Sequence, residues 1–454
     1  MAPTPPPPAD AAPTRVRFKV MFFLCVLSFL TYFDRQCITR AQGDIQHALN
    51  ISSIQMGWVF AAFWFAYAFF EIPGGWLGDR YGAKGTLLRI VIAWSILTAL
   101  TGAATGIFTL LLWRFLFGVG EAGAYPNMAR VQSNWLPILA RARAGGMLWL
   151  MARWGAAFAP LIFGSLTRFY DGLLGTEAPG PNLAHGAEPV AWRFSFWTAG
   201  VIGVVWCLFF YYSFREKPQD DPGCNQAERD LIAAGRPPQV EKHTMAKSEW
   251  KALFQTRSLW AIGILYICNS FGWSFYVSWA PKYLKEVHGV EFAKSEIMSG
   301  LPLFFGGISC LVGGLLSDYL VRRTGRKWLF RALFPICGYA TAALAMFAIR
   351  FTDSPGEATV LLCIANSAGD FGQGANWATI VDIGGRYAGV AAGFINMVGN
   401  AGNYLQPPIG AWVFSTFGWN VLFGVYATMY IVAAGMWFFV DPNRHFYDDA
   451  AREG

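Results

Sequence analysis

The feature that most constrains the fold of this chain is a series of long apolar runs separated by short polar segments. A run of about 18 or more apolar residues is long enough to cross the hydrocarbon core of a bilayer as an α-helix. Twelve such runs are predicted, near residues 18–42, 54–77, 86–106, 108–131, 142–166, 194–214, 258–281, 295–320, 329–350, 357–380, 387–412 and 419–441. The predicted fold class is therefore an all-α membrane protein with twelve transmembrane helices.

The composition agrees with a surface that faces lipid. Of the 454 residues, 55% are hydrophobic and only 14% are charged, whereas soluble globular proteins carry about 25% charged residues. Eight cysteines are scattered singly without metal-ligand spacing, so we predict neither a metal site nor a cofactor. The partners expected from composition are membrane lipid and small molecules.

The basic residues are distributed unevenly between the two sets of loops. The net charge is +7, and 24 of the 35 basic residues fall in the termini and in loops on one side of the predicted spans. By the positive-inside rule this side is cytoplasmic, and both termini lie there. The positive charge is therefore an orientation signal, and it does not predict nucleic-acid binding. We expect a multi-pass protein of the inner (plasma) membrane.

A repeated loop divides the chain into two halves. Residues 75–84 read GWLGDRYGAK, and residues 314–327 read GLLSDYLVRRTGRK. Asp79 and Asp318 are 239 residues apart, and the same offset places the first span over the seventh. The offset drifts by about ten residues at the fourth and tenth spans. The predicted domains are a disordered N-terminus (1–17), a six-helix bundle (18–214), a cytoplasmic linker (215–257), a second six-helix bundle (258–441) and a cytoplasmic tail (442–454).

This loop pattern resembles the signature of the major facilitator superfamily. Further motifs are TYFDR at 31–35, RFLFGVGEAGAYP at 114–126, NQAERDLI at 225–232, WAPKYL at 279–284, DIGGR at 382–386 and GFINMVGN at 393–400. Together they resemble the anion:cation symporter family of this superfamily, which includes hexuronate and D-galactonate transporters. The resemblance implies two pseudo-symmetric bundles that work by alternating access. In the loops, glycine permits close helix approach, and an aspartate with neighbouring arginines forms a cytoplasmic ion-pair latch. The predicted gating residues are Gly75, Asp79, Arg80, Asp318, Arg322 and Arg326.

Ionisable residues within the spans are the main candidates for function. A charge at mid-bilayer costs about 2.5–3.5 kcal/mol even on permissive scales. The resemblance implies that Asp34 and Glu121 carry proton coupling and that Arg35 and Arg114 recognise an anion, together with Tyr32. Arg114 and Glu121 are seven residues apart and so share a face of one helix. A structural ion-pair network between helices is the alternative.

Three further charged residues are interpreted from position alone. Arg153 lies well inside the fifth span and is either a further anion contact or the structural partner of an acid. Asp370 is the acid deep in the second half, predicted to bind a proton or to accept hydrogen bonds from sugar hydroxyls. Glu71 precedes Gly75 by one turn and is assigned to the cytoplasmic latch.

The second half otherwise offers neutral polar side chains, which suit a ligand with many hydroxyl groups because each buried hydroxyl needs a hydrogen-bond partner. The predicted substrate contacts there are Tyr266, Asn269, Gln373, Asn376, Trp377, Asn396 and Asn400. Hydrogen bonding between helices is the alternative for each amide.

These observations predict a monomeric, proton-coupled symporter that imports an organic anion, most favourably a hexuronate or aldonate. A carrier for another carboxylate, such as an aromatic acid, and an organophosphate antiporter remain alternatives, although the seventh span lacks the arginine that the latter would need. A drug:proton antiporter is disfavoured because the fifth span lacks a clean G-x-x-x-G-P-x-x-G-G pattern. A non-transporting sensor would need an appended signalling domain, and an enzyme is disfavoured because neither a P-loop nor a G-x-S-x-G motif is present.

Overall fold

In a computed structural model, the described residues are 12–175, 190–233, 247–384, 387–441 and 445–446. The first half contains α1 (Val16–Leu49), α2 (Ser53–Tyr81), α3 (Ala83–Gly102), α4 (Ile107–Glu121), α5 (Ala124–Trp135), α6 (Ile138–Leu174) and α7 (Ala191–Ser213). The linker contains α8 (Gln226–Ala233) and α9 (Lys247–Gln255). The second half contains α10 (Arg257–Ser278), α11 (Ala280–His288), α12 (Phe292–Thr324), α13 (Lys327–Ala348), α14 (Pro355–Phe371), α15 (Gln373–Gly384), α16 (Ala388–Phe417) and α17 (Trp419–Met436).

Three membrane crossings are each built from two consecutive helices. These pairs are α4 with α5, α10 with α11, and α14 with α15, and counting each pair as one gives twelve crossings. Nine helical stretches in the described residues are long and apolar enough to span a bilayer by themselves. The other three crossings are α10, the α14–α15 pair and α16, which carry the polar residues that the sequence assigns to substrate. The fold class predicted from the sequence is confirmed.

The two halves meet mainly along α2 with α16 and along α6 with α12. Small residues allow the helices to approach closely there, as is usual in membrane proteins. A Cβ atom on Gly57 would lie 2.7 Å from the backbone oxygen of Pro407. We call the end of the bundle that holds the α1–α2 and α11–α12 connections the distal end, because it lies opposite the two chain termini.

The linker is attached to the start of the first helix through Glu228. This buried carboxylate accepts hydrogen bonds from the backbone N–H groups of Val16 and Arg17, both at 3.1 Å, and from the hydroxyl of Thr14. Burial tends to raise the pKa of Glu228, but these hydrogen bonds outweigh it and lower the pKa below its ordinary value. Helix α1 thus begins at Val16, inside the segment 1–17 that the sequence predicts to be disordered, and Glu228 caps its first N–H groups.

Candidate functional site

The centre of the first half holds a buried ion pair between α1 and α4. The Nε atom of Arg35 donates a hydrogen bond of 2.7 Å to Oε1 of Glu121. Arg35 is 7% exposed and Glu121 is fully buried. Because two buried charges are costly unless they are paired, this contact lets both residues lie inside the helical bundle. The structure therefore joins two residues that the sequence assigned to different tasks, proton coupling and anion recognition.

Aromatic rings surround the guanidinium group of Arg35. Its Cζ atom lies 4.6 Å from the ring centroid of Tyr32 and 4.5 Å from that of Tyr67. Phe63 and Trp64 lie at 5.2 and 5.3 Å. The negative faces of such rings attract a cation and replace part of the hydration that it loses. Sequence reasoning predicted Tyr32 but missed the three aromatic residues of α2, which repeat at helical spacing as any packed helix face would.

Several polar atoms at this pair lack a partner in the described part of the chain. Among them are Nη2 of Arg35 and Nε of Arg114, which are buried donors, and the buried acceptors Oε2 of Glu121 and Oδ1 of Asp34. A buried donor without a partner is costly, so these donors are suited to an anionic ligand. Although Arg114 and Glu121 share a face of α4, the hydrogen bond of Glu121 goes to Arg35.

A cavity between the two halves opens onto these groups. Its lining residues come from α1, α2, α4 and α10, and they are Tyr32, Arg35, Gln36, Thr39, Phe60, Phe63, Trp64, Arg114, Trp273, Val277 and Ser278. The cavity thus combines two arginines with apolar rings, which is the usual composition of a small-molecule site.

A second buried ion pair crosses from one half to the other. Nη2 of Arg153, on α6, donates a hydrogen bond of 2.9 Å to Oδ1 of Asp370, on α14. The guanidinium group of Arg153 also lies 4.9 Å from the ring centroid of Trp273, which lines the cavity. Arg153 therefore pairs with an acid and also lies beside the cavity. Both interpretations from the sequence, a structural partner of an acid and a further anion contact, remain open.

The two acids occupy corresponding places in the two halves. Glu121 is the last residue of α4, and Asp370 is the residue before the end of α14. Each helix breaks there and a new one begins within three residues. The separation of 249 residues between the acids equals the repeat offset plus the drift of ten that the sequence shows at these spans. Each half therefore places an acid at the interruption of one helix and pairs it with an arginine of the first half.

The neutral polar residues of the second half divide into two groups. Tyr266, Asn269 and Asn400 are buried, and Nε2 of Gln373 donates to the hydroxyl of Tyr266 at 3.4 Å. Oε1 of Gln373 is buried without a partner among the described residues, whereas Oδ1 of Asn400 accepts from Asn403 at 3.0 Å. A Cβ atom on Gly369, the neighbour of Asp370, would lie 3.7 Å from Oδ1 of Asn269, so Asn269 lies near this acid.

None of the seven predicted substrate contacts of the second half is among the residues that line the cavity. The amide of Asn376 donates to the hydroxyl of Tyr339 at 2.8 Å and accepts from the indole of Trp437 at 3.2 Å. Both the donor and the acceptor of this amide therefore have partners inside the second half. This agrees with the alternative interpretation, hydrogen bonding between helices. Trp377 follows it on α15 and is 42% exposed, and it is not among the residues that line the cavity.

The structure corrects the interpretation of Glu71 and gives Asn396 a protein partner. Nδ2 of Asn396, on α16, donates a hydrogen bond of 2.6 Å to Oε2 of Glu71, on α2. Glu71 therefore joins the two halves and is not part of a loop latch. Because α2 and α16 form one of the main contacts between the halves, this bond has to break if they separate there.

In the second half, the aspartate of the predicted cytoplasmic latch pairs with an arginine other than the predicted ones. Asp318 accepts a hydrogen bond of 2.8 Å from Arg331, which begins the next helix, while Arg322 and Arg326 are exposed. In the first half, Arg80 is exposed beside Trp76 and Tyr81. A Cβ on Gly75 would lie 3.2 Å from Cβ of Pro126, so α2 and α5 approach closely there. The side chain of Asp79 lies outside the described residues.

Sequence reasoning missed a charge cluster at the distal end. Glu296, near the start of α12, accepts hydrogen bonds from Arg40 of α1 and from Arg168 of α6, the latter at 2.9 Å. Glu296 is 2% exposed and Arg40 is 6% exposed. Nearby, the hydroxyl of Thr39 donates to the carbonyl of Val277. The one signal in the sequence was an acid close to the beginning of an apolar run, a position also typical of a residue that reaches the membrane surface.

A comparison with known protein families agrees with this architecture. Residues 24–405 match the Major Facilitator Superfamily. The chain belongs to this superfamily. The predicted class of protein, a membrane transporter and not an enzyme, is thereby confirmed, and so is its multi-pass insertion in a membrane.

Individual relatives are similar over nearly the whole chain. A probable sulfoacetate transporter of Cupriavidus necator is 28% identical, over 94% of this chain and 94% of that protein. A probable galactarate/D-glucarate transporter of Bacillus subtilis is 28% identical, over 89% of this chain and 87% of that protein. The D-galactonate transporter of Escherichia coli is 27% identical, over 90% and 92%. These relatives fit the anion:cation symporter family that the motifs resemble.

Two solved structures share the fold. A bacterial homologue of the human lysosomal transporter Spinster, in an inward-facing and unoccupied conformation, has a TM-score of 0.70 and 22% identity, over 96% of this chain and 97% of that chain. A D-xylose–proton symporter has a TM-score of 0.70 and 16% identity, over 94% and 98%. Both support the arrangement of twelve helices.

Proposed function

We propose that this protein is a proton-coupled symporter that imports an organic anion, a sugar acid such as a hexuronate or aldonate, by alternating access. The observation that carries this proposal is the buried Arg35–Glu121 pair. It faces a cavity where Arg35 and Arg114 have donors that find no partner among the described residues. The printed names of the relatives, which include carriers of galactarate, D-glucarate and D-galactonate, point to the same substrate class.

The ion pair provides a mechanism for linking a proton to an anion. While Glu121 is ionised, it occupies the guanidinium group of Arg35. A proton on Glu121 removes that competing charge, and the planar fork of Arg35 then pairs with a substrate carboxylate, which it can bind bidentately. Release of the substrate restores the Arg35–Glu121 pair and expels the proton. Asp34 is buried in α1 beside Arg35, and its Oδ1 has no partner in the part of the chain that the structure describes. It is the second proton site of this half.

Energetics favours proton coupling for an imported anion. With the cytoplasm negative by about 100 mV, moving one negative charge inward costs about 2.3 kcal/mol. One proton for each monoanion removes that cost, and a second proton converts it into a gain of similar size. In this scheme the first half binds the carboxylate and handles protons, while Tyr266, Asn269, Gln373 and Asn400 contribute hydrogen bonds to hydroxyl groups.

A second candidate substrate is a small sulfonated acid. The relative whose match spans 94% of its own length and 94% of this chain is named a probable sulfoacetate transporter. Arginine forks suit a sulfonate as they do a carboxylate, because both present at least two neighbouring anionic oxygens to the two N–H groups of the fork. Binding assays with sulfoacetate and with galactonate, run side by side, separate the two candidates.

The proposed setting is the inner (plasma) membrane, with both termini in the cytoplasm and the protein acting as a monomer. The distal end then faces outward. Contacts between the halves close this end through Thr39–Val277 and through Glu296 with Arg40 and Arg168. A sealed outer end corresponds to a conformation whose substrate path leads to the cytoplasm.

Uptake into proteoliposomes tests the proposed function. Purified protein in vesicles with an inward proton gradient should accumulate a radiolabelled sugar acid, and a protonophore should abolish the accumulation. Vesicles without protein provide the background. Accumulation that requires sodium and ignores the protonophore would contradict proton coupling, and a complete lack of uptake would favour a non-transporting sensor.

Replacement of Arg35 by lysine should weaken substrate binding although the charge is kept. Lysine offers a point charge where arginine offers a bidentate fork and stacks on rings. We expect the Kd for a sugar acid to rise about tenfold or more in Arg35→Lys, measured by titration calorimetry. The matched control is Arg193→Lys, because Arg193 donates to backbone carbonyls of Gly102 and Ala104. Equal affinity in wild type and in Arg35→Lys would move the carboxylate site elsewhere.

A further inference from the structure

A second arginine–acid pair, which the transport cycle above does not use, lies behind Trp273 of the cavity wall. The side chain of Arg153 is 11% exposed, and in the described residues its guanidinium group makes one side-chain hydrogen bond, to Asp370. Asp370 is 2% exposed and also receives a weak hydrogen bond of 3.5 Å from Asn366. This pair repeats the arrangement of Arg35 with Glu121, an arginine held by an acid at a helix break.

Two aromatic rings connect the two pairs. The ring of Tyr32 lies against the guanidinium of Arg35, and the ring of Trp273 lies against that of Arg153, at 4.6 and 4.9 Å. The two rings meet edge to face, with centroids 6.2 Å apart. Tyr32 and Trp273 both line the cavity. The two guanidinium groups therefore stand at opposite ends of one aromatic wall.

We propose that the preferred substrate is a dianion with an anionic group at each end, one held by Arg35 with Arg114 and the other by Arg153. This inference rests on the proposed function and specifies its substrate class. Each anionic group takes the place of one resident carboxylate, Glu121 at one end and Asp370 at the other. The carbon chain between the two groups lies along Tyr32 and Trp273.

The polar atoms at the end of the site that holds Arg153 suit such a ligand. Gln373 lies one turn beyond Asp370, and its buried Oε1 is without a partner among the described residues. Its Nε2 reaches the hydroxyl of Tyr266 at 3.4 Å, at the long limit for a hydrogen bond. These groups accept and donate hydrogen bonds close in the chain to the acid that pairs with Arg153, and a hydroxyl next to a carboxylate requires both. A purely structural ion pair would not need an unpartnered acceptor beside it.

Charge balance supports the same assignment. Arg35 and Arg153 are neutralised by Glu121 and Asp370 in the empty site. A dianion that displaces both carboxylates restores neutrality when each displaced acid takes up one proton. A monoanion leaves one arginine with its resident acid, so it gains only one of the two ion pairs.

The test compares two ligands that differ in one terminal group. Glucarate and gluconate have the same six-carbon chain, but glucarate carries a carboxylate at both ends. We expect the wild-type protein in detergent to bind glucarate about tenfold or more tightly than gluconate, as one additional charge-assisted bidentate pair would give. Titration calorimetry at constant pH measures both affinities.

Variants at the second pair assign the preference to Arg153. In Arg153→Gln the preference should fall to about twofold or less, because the affinity for glucarate drops while that for gluconate changes little. The double variant Arg153→Gln with Asp370→Asn removes both charges together and guards against a folding defect caused by an uncompensated acid. Arg168→Gln is the control, because Arg168 is on the same helix but pairs with Glu296 at the distal end, so any effect should be equal for both ligands.

The outcomes separate this inference from the proposed function. Equal affinities for glucarate and gluconate in the wild type, or an equal loss for both ligands in the two Arg153 variants, would overturn the dianion assignment while leaving an organic-anion carrier in place. Failure of every sugar acid and of sulfoacetate to bind would contradict the proposed function itself.

Discussion

Replacement of Glu121 by glutamine is expected to abolish proton-driven accumulation while exchange of substrate across the membrane continues. Each unit of pH gradient supplies about 1.4 kcal/mol for each coupled proton, equal to a tenfold concentration ratio. Glutamine keeps the shape of the side chain but can neither release a proton nor neutralise Arg35. With a gradient of two units, accumulation should therefore fall from about 100-fold for one coupled proton to a ratio near one.

Two measurements in the same vesicles check this expectation. Uptake under a pH gradient reports coupling, and counterflow of labelled against unlabelled substrate reports the movement of the carrier. Glu357→Gln is the matched control, since this exposed acid lies in the first turn of α14. Full accumulation by the Glu121→Gln protein would place the coupling proton elsewhere, with Asp34 and Asp370 as the remaining candidates.

Replacement of Glu296 by glutamine is expected to open the distal end. This carboxylate accepts hydrogen bonds from Arg40 and Arg168, so it joins the second half to two helices of the first. Removing one member of a buried ion pair costs about 3–5 kcal/mol because the remaining charge stays buried. A change of this size alters the ratio of two conformations by about 10²–10⁴. We therefore expect the population to move toward a conformation with an open distal end.

Labelling of a cysteine introduced at Ser278 measures this change. Ser278 lines the cavity and is 2% exposed, so the closed distal end should protect it from a membrane-impermeant maleimide added outside. In the Glu296→Gln background the labelling rate should rise at least tenfold. Glu286→Gln is the control, because Glu286 pairs with Lys282 near the same end but on the surface. Unchanged protection in the Glu296 variant would show that the other contacts seal this end alone.

The architecture could be predicted from the sequence because it depends on features that are local or repeated. Bilayer thickness sets the length of each apolar run, and two copies of one loop fix the division into halves. The helix breaks after Glu121 and Asp370 were not predicted. They depend on close approaches between backbones, for example at Gly123, where φ is +89° and a Cβ would lie 2.6 Å from Gly74. Such an approach involves residues about fifty positions apart, which periodicity within one helix does not reveal.

The residues of the site were easier to predict than their partners. A charge inside an apolar run is visible in the sequence, so Asp34, Arg35, Arg114, Glu121, Arg153 and Asp370 could all be named. Which acid meets which arginine depends on the rotation of each helix against its neighbours. For that reason the shared face of Arg114 and Glu121 did not predict the Arg35–Glu121 bond. The amide of Asn376 shows the same limit, since its partners Tyr339 and Trp437 lie 37 and 61 residues away.

The interruption that follows each of the two acids has a geometric consequence. Helix α5 continues for twelve residues beyond the break after Glu121, which makes it about 18 Å long at 1.5 Å per residue. A rotation of about 10° at the break would swing the far end of such a rod by about 3 Å. Helix α15 also has twelve residues beyond Asp370 and the break at Gly372. Each acid therefore lies at a pivot point of its membrane crossing. A small change in hydrogen bonding at the acid would be amplified into a larger displacement at the far end of the following helix.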